Sequence, residues 1–238
     1  MKVLSVDSAS KVATCAILDE NSLIAEYTIN NKLEHSTLIM DMIDKLLKDS
    51  NLDIADIDGF VVSKGPGSFT GLRIGMATIK GLSLGSNKPY ISISSLDSLA
   101  YSLINFNGII CPIMDALREN VYTCLYKGNE GNLEKLIDYS ALDLNELVEI
   151  LKEKNEPVIF TGDAVLKHKE YLLENIPYAT FAPNHLSIVR ASSLGEVGIK
   201  MLLNNEYDDI NSSPFYLKKP QAQRELERRL ALKNENNI

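Results

Sequence analysis

The chain has 238 residues, of which 45% are hydrophobic and 24% charged, and its formal net charge is −8. This acidic balance argues against a protein that grips nucleic acid alone, because phosphate contacts require a basic face. No apolar run reaches the ~18 residues of a membrane span, and Asp7 interrupts the first apolar run too early for a signal peptide, so we expect a cytoplasmic protein.

The first half of the chain is predicted to begin with strands and to continue mainly with helices. Apolar runs predict three strands at 4–7, 12–18 and 23–29, joined by tight turns. Helical spacing of apolar residues predicts a helix over 38–47, with Ser36 or Thr37 as its N-cap. A strand at 60–63, a sharp loop at 64–68, a helix from about 70 to 84, a strand at 90–94 and a helix at 96–104 follow.

The second half begins near Gly108 and repeats this order. Strands are predicted at 109–114, 121–126 and 158–160, with helices around 144–151, 164–174 and 187–204. Asp7 and Asp115 each follow the first strand of their half. Two repeated halves indicate a duplicated α/β fold with mixed sheets, divided into lobes at 1–107 and 108–220 and followed by a polar tail at 221–238.

The most unusual segment spans residues 65–75 and reads GPGSFTGLRIG between a strand and a helix. Backbone amides in such a turn can bind an anion. A P-loop would need Lys after its last Gly, where Leu72 stands, and a Rossmann fingerprint would need Gly at the position of Thr70. The spacing alone therefore does not establish nucleotide binding.

The helix after this turn contains Gly71, Gly75 and Gly81, each of which costs roughly 1 kcal/mol relative to Ala. Such penalties suggest close approach of another backbone. That backbone could belong to this chain, by packing against the sheet, or to a partner, and the spacing favours neither.

Several ordered motifs together resemble the TsaB family over nearly the whole chain. They are the segment 65–75, the opening strand and turn at 4–9, HSTL at 35–38, DALRENVY at 115–122 and PFYLK at 214–218. Leu117 replaces one of two basic residues that are usual in this family. The resemblance implies a duplicated actin-like ATPase (ribonuclease H-like) fold, with two lobes of mixed sheets and flanking helices.

The resemblance also implies a function. Members are non-catalytic dimerisation subunits that bind TsaD for threonylcarbamoyl transfer to adenosine next to the tRNA anticodon, with TsaE as a further partner. The tRNA would be contacted mainly through the partners, and the subunit could form a homodimer when alone. The helix after the first hairpin and the helix after the glycine loop would pack against TsaD through the following residues: His35, Leu38, Ile39, Met42, Leu46, Gly71, Leu72, Ile74, Gly75, Met76 and Ile79.

No cofactor of its own is implied, although ATP or ADP could bind at the composite interface through Ser68, Thr70 and Arg73. No metal site and no catalytic residue are expected, because His35, His168 and His185 stand apart from other ligands. Likewise, Cys15, Cys111 and Cys124 form no CxxC pair and are expected to be buried.

Two other functions remain open. A small-molecule kinase of the same superfamily would need glycine-rich phosphate turns, whereas Asp7 is followed by Ser-Ala-Ser. A hydrolase or peptidase would use GLSLG at 81–85, but Ser83 is predicted near the end of a helix with Gly85 as its C-cap. The basic residues near the C-terminus are interspersed with acidic ones and are interpreted as a solvated helix face: Lys218, Lys219, Arg224, Arg228 and Arg229.

Overall fold

The computed structural model describes residues 1–31, 35–117 and 119–218, without the side chains of residues 35–37. The predicted tail at 221–238, Arg118 and the basic residues from Lys219 onward lie outside the described residues. None of the described helices is both long and apolar enough to cross a membrane.

The first sheet has the order β3-β2-β1-β4-β5. Its strands are β1 (Lys2–Asp7), β2 (Val12–Asp19), β3 (Leu23–Asn30), β4 (Gly59–Gly65) and β5 (Tyr90–Ser94). The first three strands pair antiparallel, while β1, β4 and β5 pair in parallel. All five predicted strands are confirmed.

The second sheet repeats this plan in the order β10-β7-β6-β11-β12. Its strands are β6 (Ile109–Asp115), β7 (Asn120–Thr123), β8 (Tyr126–Asn129), β9 (Asn132–Lys135), β10 (Ser140–Asp143), β11 (Val158–Thr161) and β12 (Ala179–Phe181). Again three strands pair antiparallel and two follow in parallel. The prediction of one strand over 121–126 is wrong, because β7 pairs with β10 whereas β8 turns to pair with β9.

The six described helices are α1 (His35–Asp49), α2 (Phe69–Ser86), α3 (Ser95–Tyr101), α4 (Leu144–Lys154), α5 (Val165–Asn175) and α6 (Ala191–Leu203). Alternation along β1 explains the layers around the first sheet. Leu4 and Val6 pack in the cluster that contains α1 and α2, while Val3 packs with α6 on the opposite face. The second sheet is covered by α4 and α5.

The repeated strand order confirms the duplicated ribonuclease H-like fold. The lobe boundaries stay a prediction. Helix α6 lies in the segment predicted as the second lobe, yet it packs against the first sheet, so the chain returns to its starting half.

Two predicted helix ends are corrected by the structure. Helix α1 begins at His35, so Ser36 and Thr37 lie inside its first turn and are not its N-cap. Helix α2 continues to Ser86, and Asn87 forms the left-handed C-cap with a φ of 55°. Asn tolerates this conformation through its short polar side chain, so Gly85 is not needed there.

Candidate functional site

The glycine turn joins β4 to α2 and lies against the turn between β1 and β2. Ser68 is the N-cap of α2, and its hydroxyl accepts the amide of Gly71 at 3.3 Å. The amide of Ser68 in turn donates to the carbonyl of Ala9. These bonds tie the start of α2 to the opening turn of the chain.

Three glycines allow this contact. A Cβ on Gly67 would lie 2.3 Å from the Ala9 carbonyl oxygen, and one on Gly71 would lie 2.0 Å from the Ser8 carbonyl oxygen. A Cβ on Gly75 would lie 2.6 Å from the Ser8 hydroxyl, which itself donates to the Gly71 carbonyl at 2.9 Å. For Gly67 and Gly71 the approaching backbone belongs to the same chain, and for Gly75 the approaching group is the Ser8 side chain.

The second half of α2 is different. A Cβ on Gly81 or on Gly85 would meet no atom within 4 Å, and both residues are exposed. Leu84 between them is 66% exposed. Nothing in the described part of this chain requires glycine at either position.

Most of the residues predicted at the partner interface are buried within this chain, so their side chains do not form its surface. Leu38 and Ile74 are half-buried, and the side chain of His35 is not described. The buried residues are Ile39, Met42, Leu46, Gly71, Leu72, Gly75, Met76 and Ile79. The physical reason is that α1 and α2 must cover one whole face of the first sheet.

The exposed surface of the helix pair consists of other residues. Among the described side chains, the exposed residues of α1 are Met40 and five charged residues, Asp41, Asp44, Lys45, Lys48 and Asp49, while those of α2 are Phe69, Thr70, Arg73, Ala77, Gly81, Leu84 and Gly85. The two helices also contact each other. Helical spacing could have identified this side of α2, because Ala77, Gly81, Leu84 and Gly85 recur three and four residues apart and are all apolar or small.

The sequence matches known proteins along most of its length. A family model described as TsaD, tRNA N6-adenosine threonylcarbamoyltransferase, matches residues 22–226. The tRNA threonylcarbamoyladenosine biosynthesis protein TsaB of Bacillus subtilis is 38% identical over 172 residues, which are 72% of this chain and 75% of that protein. This chain belongs to the TsaB family.

Solved structures share the fold of this TsaB-family chain. YeaZ from Pseudomonas aeruginosa has a TM-score of 0.74 at 18% identity, covering 91% of this chain and 99% of that one. The ROK hexokinase from Thermus thermophilus has a TM-score of 0.51 at 10% identity, covering 86% and 100%. At these identities the likeness concerns the fold alone, and it confirms the actin-like ATPase class.

The three residues predicted to contact a nucleotide lie near one another at the start of α2. The Ser68 hydroxyl is occupied by the helix cap, whereas Thr70 and Arg73 are exposed. The guanidinium of Arg73 lies 4.0 Å from the centre of the Phe69 ring, and its Nε donates to the Tyr216 hydroxyl at 3.3 Å. Nucleotide binding by this TsaB-family chain stays a prediction.

The two aspartates that follow the first strand of each half have different surroundings. Asp7 is buried, and its carboxylate accepts the Ala9 amide at 2.9 Å and the Ser95 hydroxyl at 3.3 Å. Asp115 is exposed, and its amide donates to the Asp163 carboxylate at 3.0 Å. Burial raises the pKa of Asp163. The Asp7 carboxylate therefore fastens the turn that follows it.

The predicted histidines do not converge. His168 is buried in α5, where burial lowers its pKa, while His185 is exposed in a short 3-10 turn. Within residues 1–31, 35–117 and 119–218, no three His, Cys, Asp or Glu residues come together where they could hold a metal ion. All three cysteines are buried as predicted, and burial raises the pKa of each thiol to about 12.

Ser83 does not have the surroundings of a hydrolase nucleophile. It lies within α2, three residues from the helix end, and is nearly buried. Its hydroxyl donates to the Lys88 carbonyl at 2.6 Å, so it fastens the helix to the following loop. A nucleophile elbow would place the Ser at a turn from strand to helix.

The closing motif lies across the glycine turn. The amide of Phe215 donates to the Lys64 carbonyl at 2.8 Å, and the Phe215 ring lies 5.9 Å from that of Tyr139 in the second half. Lys218 donates to the Ala116 carbonyl at 3.0 Å. Sequence reasoning matched this motif to the family but did not predict that it would join the two halves, because no local pattern reports such a contact.

Proposed function

We propose that this chain is the non-catalytic subunit that binds a TsaD-type transferase and so takes part in forming threonylcarbamoyladenosine on tRNA. The partner would contact the exposed side of α1 and the second half of α2. The observation that carries this proposal is the pair Gly81 and Gly85, where an added Cβ would meet no atom of the described residues within 4 Å. Each glycine in a helix costs about 1 kcal/mol relative to Ala, and close approach of a partner backbone would supply a reason for both.

The surface suits a helix-to-helix contact. Small residues allow another backbone to approach closely, and the exposed side chain of Leu84 offers an apolar contact between Gly81 and Gly85, while α1 adds the exposed Met40. The TsaB relatives support the pathway, since their names place them in tRNA threonylcarbamoyladenosine biosynthesis. The same surface could pair with a second copy when the partner is absent.

The proposal that the chain has no active site of its own is supported by the positions of the candidate groups. The Asp7 carboxylate and the Ser83 hydroxyl both make bonds inside the chain. The turn after Asp7 packs against Gly67, Gly71 and Gly75, so the space beside it is filled by the start of α2. These contacts oppose a kinase or a hydrolase.

The remaining partners follow from the same proposal. TsaE would be a further partner, and ATP or ADP would bind at the composite interface near the exposed Thr70 and Arg73. With a net charge of −8, the chain would leave most tRNA contact to its partners.

Size-exclusion chromatography with light scattering tests this function. The full chain, alone and mixed with the TsaD-type subunit of the same organism, should form a one-to-one complex. Gly81→Arg and Leu84→Asp should fold normally, because both sites are open, and should weaken the complex tenfold or more. Leu173→Asp is the matched control, since this leucine is 50% exposed on α5. A complex that survives both α2 variants but is lost in the control would contradict the proposal.

A further inference from the structure

An aromatic and cationic cluster is exposed at the start of α2. Phe69 and Tyr216 are 37% and 36% exposed, with ring centres 5.1 Å apart. Arg73 lies over the Phe69 ring at 4.0 Å and donates to the Tyr216 hydroxyl at 3.3 Å. We call Phe69, Arg73 and Tyr216 the α2 platform.

The α2 platform is assembled before any ligand binds. Residues 208–218 reach it along the edge of the first sheet, where the ammonium of Lys80 donates to the carbonyls of Ile210 and Ser212. The bond from the Phe215 amide to the Lys64 carbonyl then positions Tyr216 beside α2. A surface built in this way loses little conformational freedom on binding.

The charge of the platform is not neutralised nearby. Within the part of the chain that the structure describes, neither Arg73 nor Lys64 forms an ion pair with a carboxylate. In a protein whose net charge is −8, Arg73 thus places a positive charge beside the exposed rings of Phe69 and Tyr216. Flat rings and a planar cation are the groups that stack on nucleobases and contact their phosphates.

We propose that the α2 platform stacks an unpaired base of an RNA strand, with Arg73 contacting the adjoining phosphate. This inference rests on the proposed function, which supplies an RNA substrate. A free nucleotide offers the same chemistry and is therefore one arm of the test. Arg73 and Gly81 are eight residues apart on α2, about 12 Å along the helix axis, so the platform adjoins the proposed partner surface without containing its glycines.

Fluorescence anisotropy with the full chain tests the inference. The probe is a fluorescein-labelled single-stranded RNA of about twelve nucleotides, within the range that such sites cover. The same RNA as a blunt duplex and unlabelled ATP are the comparison ligands. The wild-type chain should bind the single strand more tightly than the duplex, and its affinity should fall as salt rises. Millimolar ATP should compete only weakly.

Variants of the aromatic residues test the stacking contact. Phe69→Ala and Tyr216→Ala should each weaken RNA binding about tenfold, the size expected for one base stack. Tyr216→Phe should retain the affinity, because the ring remains. Tyr207→Ala is the matched control. Tyr207 is 61% exposed just before residues 208–218, at the end away from the platform, and its removal should leave the RNA affinity unchanged.

The inference would be overturned if the folded wild-type chain did not bind the single-stranded RNA or bound the duplex with equal affinity. It would also be overturned if both alanine variants kept the wild-type RNA affinity, or if the platform bound ATP tightly without binding RNA. The same variants are also mixed with the TsaD-type subunit. If they lose that complex while RNA affinity is unchanged, the platform is a protein contact and the inference fails. Failure of the proposed function is distinct, since it appears as a wild-type chain that forms no complex.

Discussion

The two halves of α2 use the same residue type in opposite ways. In the first half, Gly71 and Gly75 lie against Ser8 so closely that an added Cβ would overlap its atoms. In the second half, Gly81 and Gly85 face open space. The difference arises from what lies opposite, because only the first half crosses the turn between β1 and β2. At the start of α2, Gly71 and Gly75 therefore allow close contact within the chain, whereas Gly81 and Gly85 near its end lie on an open surface.

The apolar residues of α2 divide in a similar way. Leu72 and Met76 are buried under the helix, whereas Leu84 lies on its exposed side. One helix thus covers the first sheet with one side and exposes the other side, which is the proposed partner surface.

Gly71→Ala should cause the largest loss of stability. The new Cβ would lie 2.0 Å from the Ser8 carbonyl oxygen, which is backbone and cannot move aside without shifting the turn. We expect the free energy of unfolding to fall by about 3 kcal/mol or more, at the upper end of overpacking. Urea unfolding measures it, and a loss below about 1 kcal/mol would show that this contact is looser than described.

Leu72→Ala should lower the free energy of unfolding by about 3 kcal/mol, because it removes buried methyl groups. The matched change Leu84→Ala, on the exposed side of the same helix, should stay within about 0.5 kcal/mol. Thermal or urea unfolding of both variants compares the two sides directly. Equal losses would mean that Leu84 is also part of the core.

Gly75→Ala should cost about 1–2 kcal/mol, less than Gly71→Ala, because its new Cβ meets the Ser8 hydroxyl and not backbone. Ser8→Ala removes that hydroxyl, and the next nearest atom is Val62 Cγ2 at 3.6 Å. The double variant should therefore recover at least about 0.5 kcal/mol relative to additivity. A double-mutant cycle measures this coupling, and strict additivity would contradict the contact.

Gly81→Ala should have the smallest effect, with the opposite sign. Nothing lies within 4 Å of the new Cβ, so better helix propensity should raise the free energy of unfolding by up to about 1 kcal/mol. Destabilisation of the isolated chain by this change would reveal an internal contact at Gly81.

Much of the fold could be predicted from the sequence because its strands are short apolar runs bounded by turns. Strand β5 was predicted at its observed ends. The division of residues 121–126 between strands β7 and β8 was not predicted, because the break at Cys124 and Leu125 lies inside one continuous apolar run. Local patterns do not report where the chain changes its pairing partner.

The candidate site could be predicted only in part. The glycine segment predicted the turn and the helix that follows it, but apolar spacing could not distinguish the side of α1 and α2 that covers the sheet from the side that faces solvent. Ile39 and Met42 illustrate this, since both were predicted at the interface and both are buried. The contact between Arg73 and Tyr216 spans 143 residues, so no window of sequence contains it.

Hydrogen–deuterium exchange of the full chain, with and without a TsaD-type subunit, would show which surface a partner covers. We expect added protection in α1 and in residues 77–86 of α2, with no change in α5. Protection confined to α4 or α5, with α2 unchanged, would contradict the assignment of the second half of α2 to the partner.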